Sequence, residues 1–426
     1  MTLLERVQQR PERVPLLISS KLVVDLVMLR QTLGRREGWL RSVAQEGVAL
    51  AIRSPVELAL ALIALDGRCH RLLLLPDGLT GGDVSHFMQR CHCSVLLTDA
   101  GWKQCDQSGT GGDASAINGL NQTEWFMPTS GTTGIPKLVG HSLTSLTRTT
   151  KTGQTAGGPI RWGQMYAIPR FAGMQVLLQS LLGGSSLVLG EADDNLDTLL
   201  ALFERNGVNA ISATPTQWRK LLMLPEAGRL ELGQITLGGE IATQTTLDAL
   251  RQKFPRARIS HVYASTETGV GFSVTDGLEG FPARWLDEPE RGLAIDPDSG
   301  ELLISGSRLP TGDAVERHGA RILFAGRLNG SINVGGNKVM PETVERVLLA
   351  CPGVAAAVAR GRKSALTGNL VVADIVMREP VTDRAEQTRA ITQHCAKWLQ
   401  RHEIPALVNF VSELKTGSSG KVLRHE

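Results

Sequence analysis

The segment Pro128-Thr129-Ser130-Gly131-Thr132-Thr133-Gly134-Ile135-Pro136-Lys137 concentrates four hydroxyl side chains, two glycines and one lysine in ten residues. Glycine lets backbone N–H groups point into a concavity that binds anions, and the hydroxyls and Lys137 add further donors. A polyphosphate is a ligand that uses all of these groups. The segment lacks the Gly-Lys-Ser/Thr ending of a Walker loop, and its alternative interpretation is a surface loop of turn-forming residues.

The composition is that of an ordinary globular protein. The 426 residues suffice for two or more domains, 42% of them are hydrophobic, 20% are charged, and the net charge is +3. No long basic block or basic–aromatic pattern occurs, so no nucleic-acid partner is expected. The N-terminus lacks the apolar core of a signal peptide, and the apolar run Leu58 to Leu65 is too short to span a bilayer. We therefore expect no membrane partner and a cytoplasmic location.

The six cysteines show neither a disulfide framework nor a Cys-x-x-Cys pair. Cys91-His92-Cys93 could supply metal ligands, but adjacent residues of a strand point to opposite faces and no second cluster completes a tetrahedral site. Buried structural thiols are the favoured interpretation.

Short apolar runs alternate with helix-compatible stretches before residue 270. This alternation predicts a parallel-rich sheet covered by helices. A helix is predicted from Pro55 through Leu65, and a second helix-compatible run begins near His141. The predicted strands include Trp125–Met127, Val48–Ile52, Leu72–Leu75, Ser94–Thr98, Met165–Pro169, Ser186–Leu189, Asn209–Ser212, Gln234–Leu237 and Ile259–Tyr263.

Three polar motifs each follow a predicted strand: Pro128–Lys137, Gly238-Gly239-Glu240 and Ala264-Ser265-Thr266-Glu267. In open α/β sheets, ligands collect beyond the carboxyl ends of the strands, so these motifs are predicted to form one site. An acid at a polyphosphate site usually holds Mg²⁺ through oxygen, which makes Glu267 a metal candidate. The alternative interpretation of Ser265-Thr266-Glu267 is the capping start of a helix.

The pattern changes after Glu301, where a strand is followed by a predicted turn at Thr311-Gly312-Asp313 and a predicted linker at 326–330. The remainder predicts a small α+β unit with a Gly/Ser-rich tail that contains Lys421. A carboxylate can accept two ribose hydroxyls, so Asp313 is a candidate nucleotide ligand. In the alternative interpretation Asp313 is a turn residue, while Arg327 and Lys421 are solvated charges.

Taken in order, these motifs resemble those of the adenylate-forming superfamily, which contains acyl-CoA synthetases, the adenylation domains of peptide synthetases, and luciferases. The resemblance runs from about residue 45 to the last residue. It implies an α/β fold with a large N-terminal domain, 1–326, whose parallel-rich sheets are covered by helices. A small mobile α+β domain, 327–426, would follow, with a hinge near Asn329.

The resemblance also implies residue roles. Tyr263 would stack on adenine, Thr266 would touch phosphate and Glu267 would hold Mg²⁺. Asp313 would accept the ribose hydroxyls, Arg327 would contact ribose or phosphate, and Lys421 would be the catalytic lysine. The other implied nucleotide-binding residues are Thr129, Ser130, Gly131, Thr132, Thr133, Gly134, Lys137, Gly238, Gly239 and Glu240. The implied substrate pocket consists of Phe171, Gly173, Gly238 and Ala264. Three residues depart from the family pattern, since Ala264 replaces the usual Gly, Asn329 the usual Asp and Asn333 the usual Lys.

The implied function is an ATP-dependent acid–thiol ligase that uses ATP, Mg²⁺ and a small carboxylic acid. The thiol would be coenzyme A or the phosphopantetheine of an acyl carrier protein. Peptide-synthetase domains place an Asp in the stretch that corresponds to Phe171–Gln175, and no acid occurs there. This disfavours a free α-amino acid and favours an acyl or aryl substrate. Arg170 could pair with a second substrate carboxylate, or be a surface arginine. The segments before the phosphate loop and between Glu267 and Thr311 are short, so the alternative is a catalytically reduced relative that binds nucleotide or a carrier protein without turnover.

Overall fold

A computed structural model describes residues 1–105, 122–129, 137–151, 159–304, 309–364, 368–417 and 420–424. By the mutual proximity of its Cα atoms the chain divides into two compact units. The first unit comprises Met1–Ser212, Glu226–Ile235 and Ala264–Val270, and the second comprises Ala213–Pro225, Thr236–Tyr263 and Gly271–Glu426. The boundary at 326/327 concerns a mobile domain and stays a prediction.

The helices begin where the sequence offers capping side chains. Ser54 Oγ accepts the N–H of Glu57 ahead of Pro55, which places the start of the fourth helix as predicted. No helix of the described residues is both long and apolar enough to cross a membrane. The α-helices of the described residues are α1 (Leu3–Val7), α2 (Leu26–Arg35), α3 (Glu37–Ser42), α4 (Pro55–Leu65), α5 (Gly81–Arg90), α6 (Leu143–Leu146), α7 (Phe171–Leu182), α8 (Leu196–Arg205), α9 (Pro215–Leu222), α10 (Gln244–Lys253), α11 (Pro341–Leu349) and α12 (Arg384–Ala396).

The strands are short in the first unit and longer in the second. They are β1 (Leu17–Ile18), β2 (Val23–Val24), β3 (Gly47–Ala51), β4 (Arg71–Leu74), β5 (Val95–Thr98), β6 (Gly101–Gln104), β7 (Glu124–Thr129), β8 (Lys137–Ser142), β9 (Arg161–Gln164), β10 (Ser186–Val188), β11 (Ala210–Ala213), β12 (Gln234–Gly238), β13 (Arg258–Ser265), β14 (Gly269–Val274), β15 (Phe281–Pro282), β16 (Leu293–Ile295), β17 (Glu301–Ile304), β18 (Leu309–His318), β19 (Arg321–Arg327), β20 (Ile332–Val334), β21 (Asn337–Val339), β22 (Val354–Ser364), β23 (Gly368–Met377) and β24 (Leu407–Phe410).

Parallel pairing dominates the first unit. One sheet has the order β6-β5-β3-β4-β7-β8, with parallel pairs in its centre and antiparallel pairs at both edges. A second sheet contains β2-β1-β10-β9-β11, in which β2 alone pairs antiparallel among these five strands. Apolar side chains surround α4 on every side, so this helix is buried in the core. The predicted parallel-rich α/β fold is confirmed.

Antiparallel pairing dominates the second unit. One of its sheets has the order β15-β19-β18-β17-β16, and another has β21-β20-β23-β22 with β24 added parallel to β23. Helices α11 and α12 pack on the latter sheet through a core that includes Val344, Leu348, Ile391 and Cys395. The boundaries between the two units fall within β11, β12, β13 and β14 and within a 3₁₀ turn at Pro225–Arg229.

The predicted strand at Met165–Pro169 is wrong, because the strand there is β9, which ends at Gln164. The amide of Gln164 donates hydrogen bonds to the carbonyls of Tyr166, at 2.7 Å, and Gly173, at 3.2 Å. The Gln164 side chain thus binds one carbonyl of the loop and one of the first turn of α7. Tyr166 and Ile168 are buried, so their apolar character reflects burial of a loop.

The predicted turn at Thr311-Gly312-Asp313 is also wrong, because these residues lie within β18. Gly312 has a φ of +76°, and the register of β18 shifts twice nearby, against β17 and against β19. The glycine therefore accommodates an irregular strand rather than a reversal of the chain. The predicted linker at 326–330 likewise begins inside β19, which continues to Arg327 before a short 3₁₀ turn at Leu328–Gly330.

Candidate active site

Asp313 is held by two donors in the second unit. Its Oδ2 accepts a hydrogen bond of 2.5 Å from the hydroxyl of Tyr263, and its Oδ1 lies 2.8 Å from Nε of Arg327. The pairing of β18 with β19 places Arg327 directly opposite Asp313, so the sheet register itself brings the ion pair together. The side chain of Asp313 is only 14% exposed.

The charge of Asp313 reflects competing effects. Burial raises the pKa of this carboxyl above its ordinary value, whereas Arg327, the hydrogen bond from Tyr263 and the charge of Lys421 lower it. Burial and the Asp313 charge raise the pKa of the Tyr263 hydroxyl, which therefore remains a proton donor. Three groups thus favour the carboxylate form of Asp313, the form that can accept ribose hydroxyls.

The ring of Tyr263 belongs to an aromatic cluster. It stacks against Phe272 and Phe324, with centroid separations of 5.3 and 5.2 Å and interplanar angles of 14° and 6°. These contacts and the bond to Asp313 fix the position of the ring. Its role in stacking on adenine stays a prediction.

Lys421 lies beside Gly239 in the second unit. A Cβ built on Gly239 would stand 3.2 Å from Cε of Lys421, and Gly239 has a φ of +81°. Glycine is therefore the residue that suits both the backbone and the neighbouring lysine. Lys421 is exposed, and its charge acts on Asp313. The second unit thus assembles Lys421, Gly239, Asp313, Tyr263 and Arg327 around one region.

The phosphate-loop segment is described only at its two ends. Thr129 ends β7 and Lys137 begins β8, where the two residues are paired and Oγ1 of Thr129 donates to the carbonyl of Lys137 at 3.3 Å. The antiparallel hairpin therefore fixes both ends of the loop. Ser130, Gly131, Thr132, Thr133 and Gly134 lie outside the described residues.

The motif Ala264–Glu267 begins in β13, which ends at Ser265, and continues into the turn that leads to β14. Oγ of Ser265 accepts the N–H of Thr268 at 3.1 Å, and the two hydroxyls lie 2.8 Å apart. This closes a turn between two strands, so the alternative of a helix start at Ser265-Thr266-Glu267 is wrong. The side chain of Glu267 is exposed at this turn.

The predicted pocket residues differ in their surroundings. Gly173 is buried in the first turn of α7, where an added Cβ would stand 2.1 Å from the carbonyl oxygen of Ala167. Its missing side chain makes room for the preceding loop. Phe171 opens the same helix and approaches Gly269, whose built Cβ would lie 3.9 Å from Cζ of the ring. Gly238 ends β12 and Ala264 lies in β13.

Several neighbours of these motifs were not predicted. In the first unit, the ring of His141 lies 5.6 Å from that of Phe171, and Arg148 donates to the carbonyl of Thr268 at 3.4 Å. Burial lowers the pKa of His141. In the second unit, Thr214 and Gln217 contact the tail next to Lys421. The Thr-x-x-Gln spacing at the start of α9 is a capping box and was the available signal for Thr214.

Comparison with protein families identifies the class. Residues 39–310 match the model of the AMP-binding enzymes, and residues 343–421 match that of the AMP-binding enzyme C-terminal domain. The chain therefore belongs to the AMP-binding enzyme family, which confirms the resemblance drawn from the motifs.

Similar curated proteins include CoA ligases. The 2-succinylbenzoate–CoA ligase of Bacillus subtilis (strain 168) is 25% identical, and the alignment covers 100% of this chain and 96% of that protein. The 4-chlorobenzoate–CoA ligase of Pseudomonas sp. (strain CBS-3) is 26% identical, with 99% and 92% covered. These matches confirm the prediction of a ligase.

Solved structures show the same fold. An anthranilate CoA ligase in complex with anthranoyl-AMP superposes with a TM-score of 0.77 at 16% identity, covering 99% of this chain and 95% of that one. The o-succinylbenzoate CoA synthetase of Bacillus subtilis, in complex with its acyl-adenylate intermediate, gives 0.71 at 22% identity, covering 99% and 96%.

Proposed function

We propose that this enzyme is an AMP-forming acid–CoA ligase. It activates a carboxylic acid as an acyl-AMP with release of pyrophosphate, and then transfers the acyl group to coenzyme A. The observation that carries this proposal is the position of Lys421 beside Gly239, with its charge acting on an Asp313 that Tyr263 and Arg327 hold. The names of the similar CoA ligases support the same reaction.

In the first half-reaction a carboxylate oxygen of the acid attacks the α-phosphorus of ATP. The bond from that phosphorus to the pyrophosphate oxygen breaks, and pyrophosphate leaves with the electron pair. Negative charge increases on the α-phosphate oxygens, and the ammonium of Lys421 stabilises it. Asp313 accepts the ribose hydroxyls, which fixes the nucleotide relative to the acid.

Glu267 is the proposed protein ligand of a magnesium ion that the nucleotide helps to bind. Within the described residues, no group of three or more His, Cys, Asp or Glu side chains is arranged to hold a metal ion. Mg²⁺ usually keeps several waters and binds one or two carboxylates together with substrate phosphates, so the exposed Glu267 at the β13–β14 turn is an appropriate protein ligand. When bound, the ion would neutralise phosphate charge.

In the second half-reaction the thiolate of coenzyme A attacks the acyl carbon, and AMP leaves. We propose that the segment 327–426 rotates about Asn329 between the two steps, which would remove Lys421 and admit the thiol. Gly335 and Gly336, with φ values of +58° and +88°, would then line the path of the thiol. Residues 1–326 would remain as the fixed domain.

We further propose that the acid is aromatic. Two of the similar ligases are named for 2-succinylbenzoate and 4-chlorobenzoate, and a structural relative is named for anthranilate, whereas another similar ligase is named for the aliphatic 4-hydroxybutyrate. No acidic side chain occurs in Phe171–Gln175, where a free α-ammonium would need one. Arg170, the residue before α7, is the candidate partner for a second carboxylate, and one of its hydrogen bonds is to the carbonyl of Pro128, at 3.5 Å.

The test is ATP-dependent release of pyrophosphate with a panel of acids: 2-succinylbenzoate, 4-chlorobenzoate, anthranilate, 4-hydroxybutyrate and α-amino acids. We expect turnover with one or more aromatic acids and a thioester on coenzyme A. If the thioester forms on a phosphopantetheinylated carrier protein and not on coenzyme A, the carrier protein is the acceptor. Binding of ATP without pyrophosphate release from any acid would favour the catalytically reduced relative and contradict the proposal.

A further inference from the structure

The residues on both sides of Lys421 are bonded to one surface of the second unit. The carbonyl of Gly420 accepts a hydrogen bond of 2.9 Å from Oγ1 of Thr214, and the N–H of Val422 donates one of 3.1 Å to Oε1 of Glu240. The backbone is thus held immediately before and immediately after the lysine. A side chain between two fixed peptide groups has little freedom beyond its own rotamers.

Glu240 joins two elements through its two oxygens. While Oε1 accepts from Val422, Oε2 accepts the N–H of Thr216 at 2.9 Å in the first turn of α9. A carboxylate favours the positive end of a helix, so Glu240 is itself well placed at the start of α9. Its bonds with backbone N–H groups are charge-assisted, and they hold the tail against this helix.

The tail is shaped to fit this surface. Thr416 and Val422 form an antiparallel bridge, and the N–H of Gly417 donates to the carbonyl of Lys421 at 2.9 Å. Gly420 has a φ of +72°, and a Cβ added to it would stand 2.6 Å from Nε2 of Gln217. Glycine at this position satisfies both the backbone angle and the close approach to α9.

We infer that Glu240 is a positioning residue for Lys421 in adenylate formation. This inference rests on the proposed function, because it requires Lys421 to act on the α-phosphate. Glu240 does not need to touch the nucleotide for this role. By binding the N–H of Val422, Glu240 fixes the position of Lys421 relative to Gly239. The reaction rate falls steeply when a catalytic group is displaced by about 1 Å.

The experiment measures each half-reaction separately, with the panel acid that gives the highest turnover. Adenylation is followed by pyrophosphate release, and thiol transfer by thioester formation from supplied acyl-AMP and coenzyme A. We expect Glu240→Ala to slow adenylation by about ten- to a hundredfold, as for loss of a charge-assisted hydrogen bond, and to leave thiol transfer within about twofold. The matched control is Glu413→Ala, which removes an exposed carboxylate shortly before the same tail and should change neither rate.

The decisive readout is the double variant. If Glu240 acts only through Lys421, adding Glu240→Ala to Lys421→Ala costs no further adenylation rate. If the losses in adenylation rate of the two single variants multiply in the double variant, Glu240 acts independently of Lys421 and the inference is overturned. An unchanged adenylation rate in Glu240→Ala would also overturn it. An adenylation rate that Lys421→Ala leaves unchanged would overturn the proposed mechanism as well, so the two failures are distinguishable.

A second variant covers the case in which Glu240→Ala does not fold, since Glu240 also binds the start of α9. Gly420→Ala leaves Glu240 intact. It displaces the tail at the residue before Lys421, where the new Cβ would contact Gln217. We expect the same pattern: slower adenylation, nearly normal thiol transfer, and no further loss in the Lys421→Ala background. Normal adenylation in a folded Gly420→Ala variant would contradict the inference.

Discussion

Lys421 and Asp313 are held in place by different kinds of structural support. The strand pairing of β18 with β19 presents Arg327 to Asp313, whereas Lys421 stands on a tail whose neighbouring peptide groups are bonded to Thr214 and Glu240. The charge of Asp313 and the placement of the tail around Lys421 both depend on neighbours that are remote in the sequence. Two predictions test these residues individually.

The first prediction concerns Lys421. Lys421→Ala should slow adenylation by about a hundred- to a thousandfold, because a charged donor to the developing negative charge is lost. Thiol transfer from supplied acyl-AMP should be nearly unaffected, since in the proposed mechanism the lysine acts only in the first step. The measurement is each half-reaction alone, and a variant impaired equally in both would contradict this division of labour.

The second prediction concerns the pH dependence that Asp313 imposes. The carboxylate is the form that accepts ribose hydroxyls, and its fraction falls as the pH falls through its pKa. The hydrogen bond from Tyr263 lowers this pKa, so Tyr263→Phe should raise the pKa and move the acid limb of kcat/KM for ATP to higher pH. The ring and its stacking are kept. Tyr166→Phe is the matched control, and a shift of the same size in that variant would refute the assignment.

At the scale of elements, α11 secures the end of the tail. Arg424 makes a bidentate pair with Glu345, at 3.0 and 2.7 Å, and its remaining amino group lies 2.8 Å from Oε1 of Glu342. Both carboxylates stand on α11 three residues apart, and Glu345 also accepts the N–H of Ala359 in β22. Arg424 therefore links the tail to α11, and Glu345 links α11 to the sheet that contains β22.

The third prediction follows from the burial of Glu345. Arg424→Ala removes the cation that opposes the burial-induced rise in the pKa of Glu345, so in the variant this pKa rises further. A buried carboxylate without its partner typically costs about 3 kcal/mol, which corresponds to a lower Tm by about 5 °C. The protonated form avoids this cost. The difference in Tm between parent and variant should therefore be small near pH 5 and grow toward pH 8.

The control for Arg424 is Arg401→Ala, which removes an exposed arginine from the same unit. It should change Tm little at either pH. A destabilisation in Arg424→Ala that is independent of pH would mean that lost packing, rather than the unpaired Glu345, accounts for the effect.

At the scale of the whole molecule, the proposed cycle requires the segment 327–426 to adopt two arrangements. The fourth prediction is that Asn329→Pro slows overall thioester formation far more than adenylation. Proline fixes φ and removes an N–H, so it should favour one arrangement of the short 3₁₀ turn Leu328–Gly330. Asn329→Asp introduces the residue common in the family and should preserve both steps. Equal losses in both half-reactions of Asn329→Pro would argue against a rotating domain.

The sequence determined the elements whose signals are local. The capping Ser54 with Pro55 set the start of α4, and continuous apolar strands with intervening helices predicted the parallel sheets, because a strand buried on both faces must be apolar throughout. The order of polar motifs predicted the AMP-binding family. The candidate residues Asp313, Arg327 and Lys421 also followed from these motifs.

The tertiary structure decided what depends on partners distant in the chain. Met165–Pro169 looked like a strand because apolarity reports burial, while the hydrogen bonds of Gln164 made it a loop. Thr311–Asp313 looked like a turn because glycine and aspartate favour turns, while pairing with β19 placed it inside a strand. The two bonds of Glu240 join residues 24 and 182 positions away, and no local pattern specifies such contacts. They form only when helix α9 and the tail pack together, so only the fold could assign Glu240 its place next to the segment that carries Lys421.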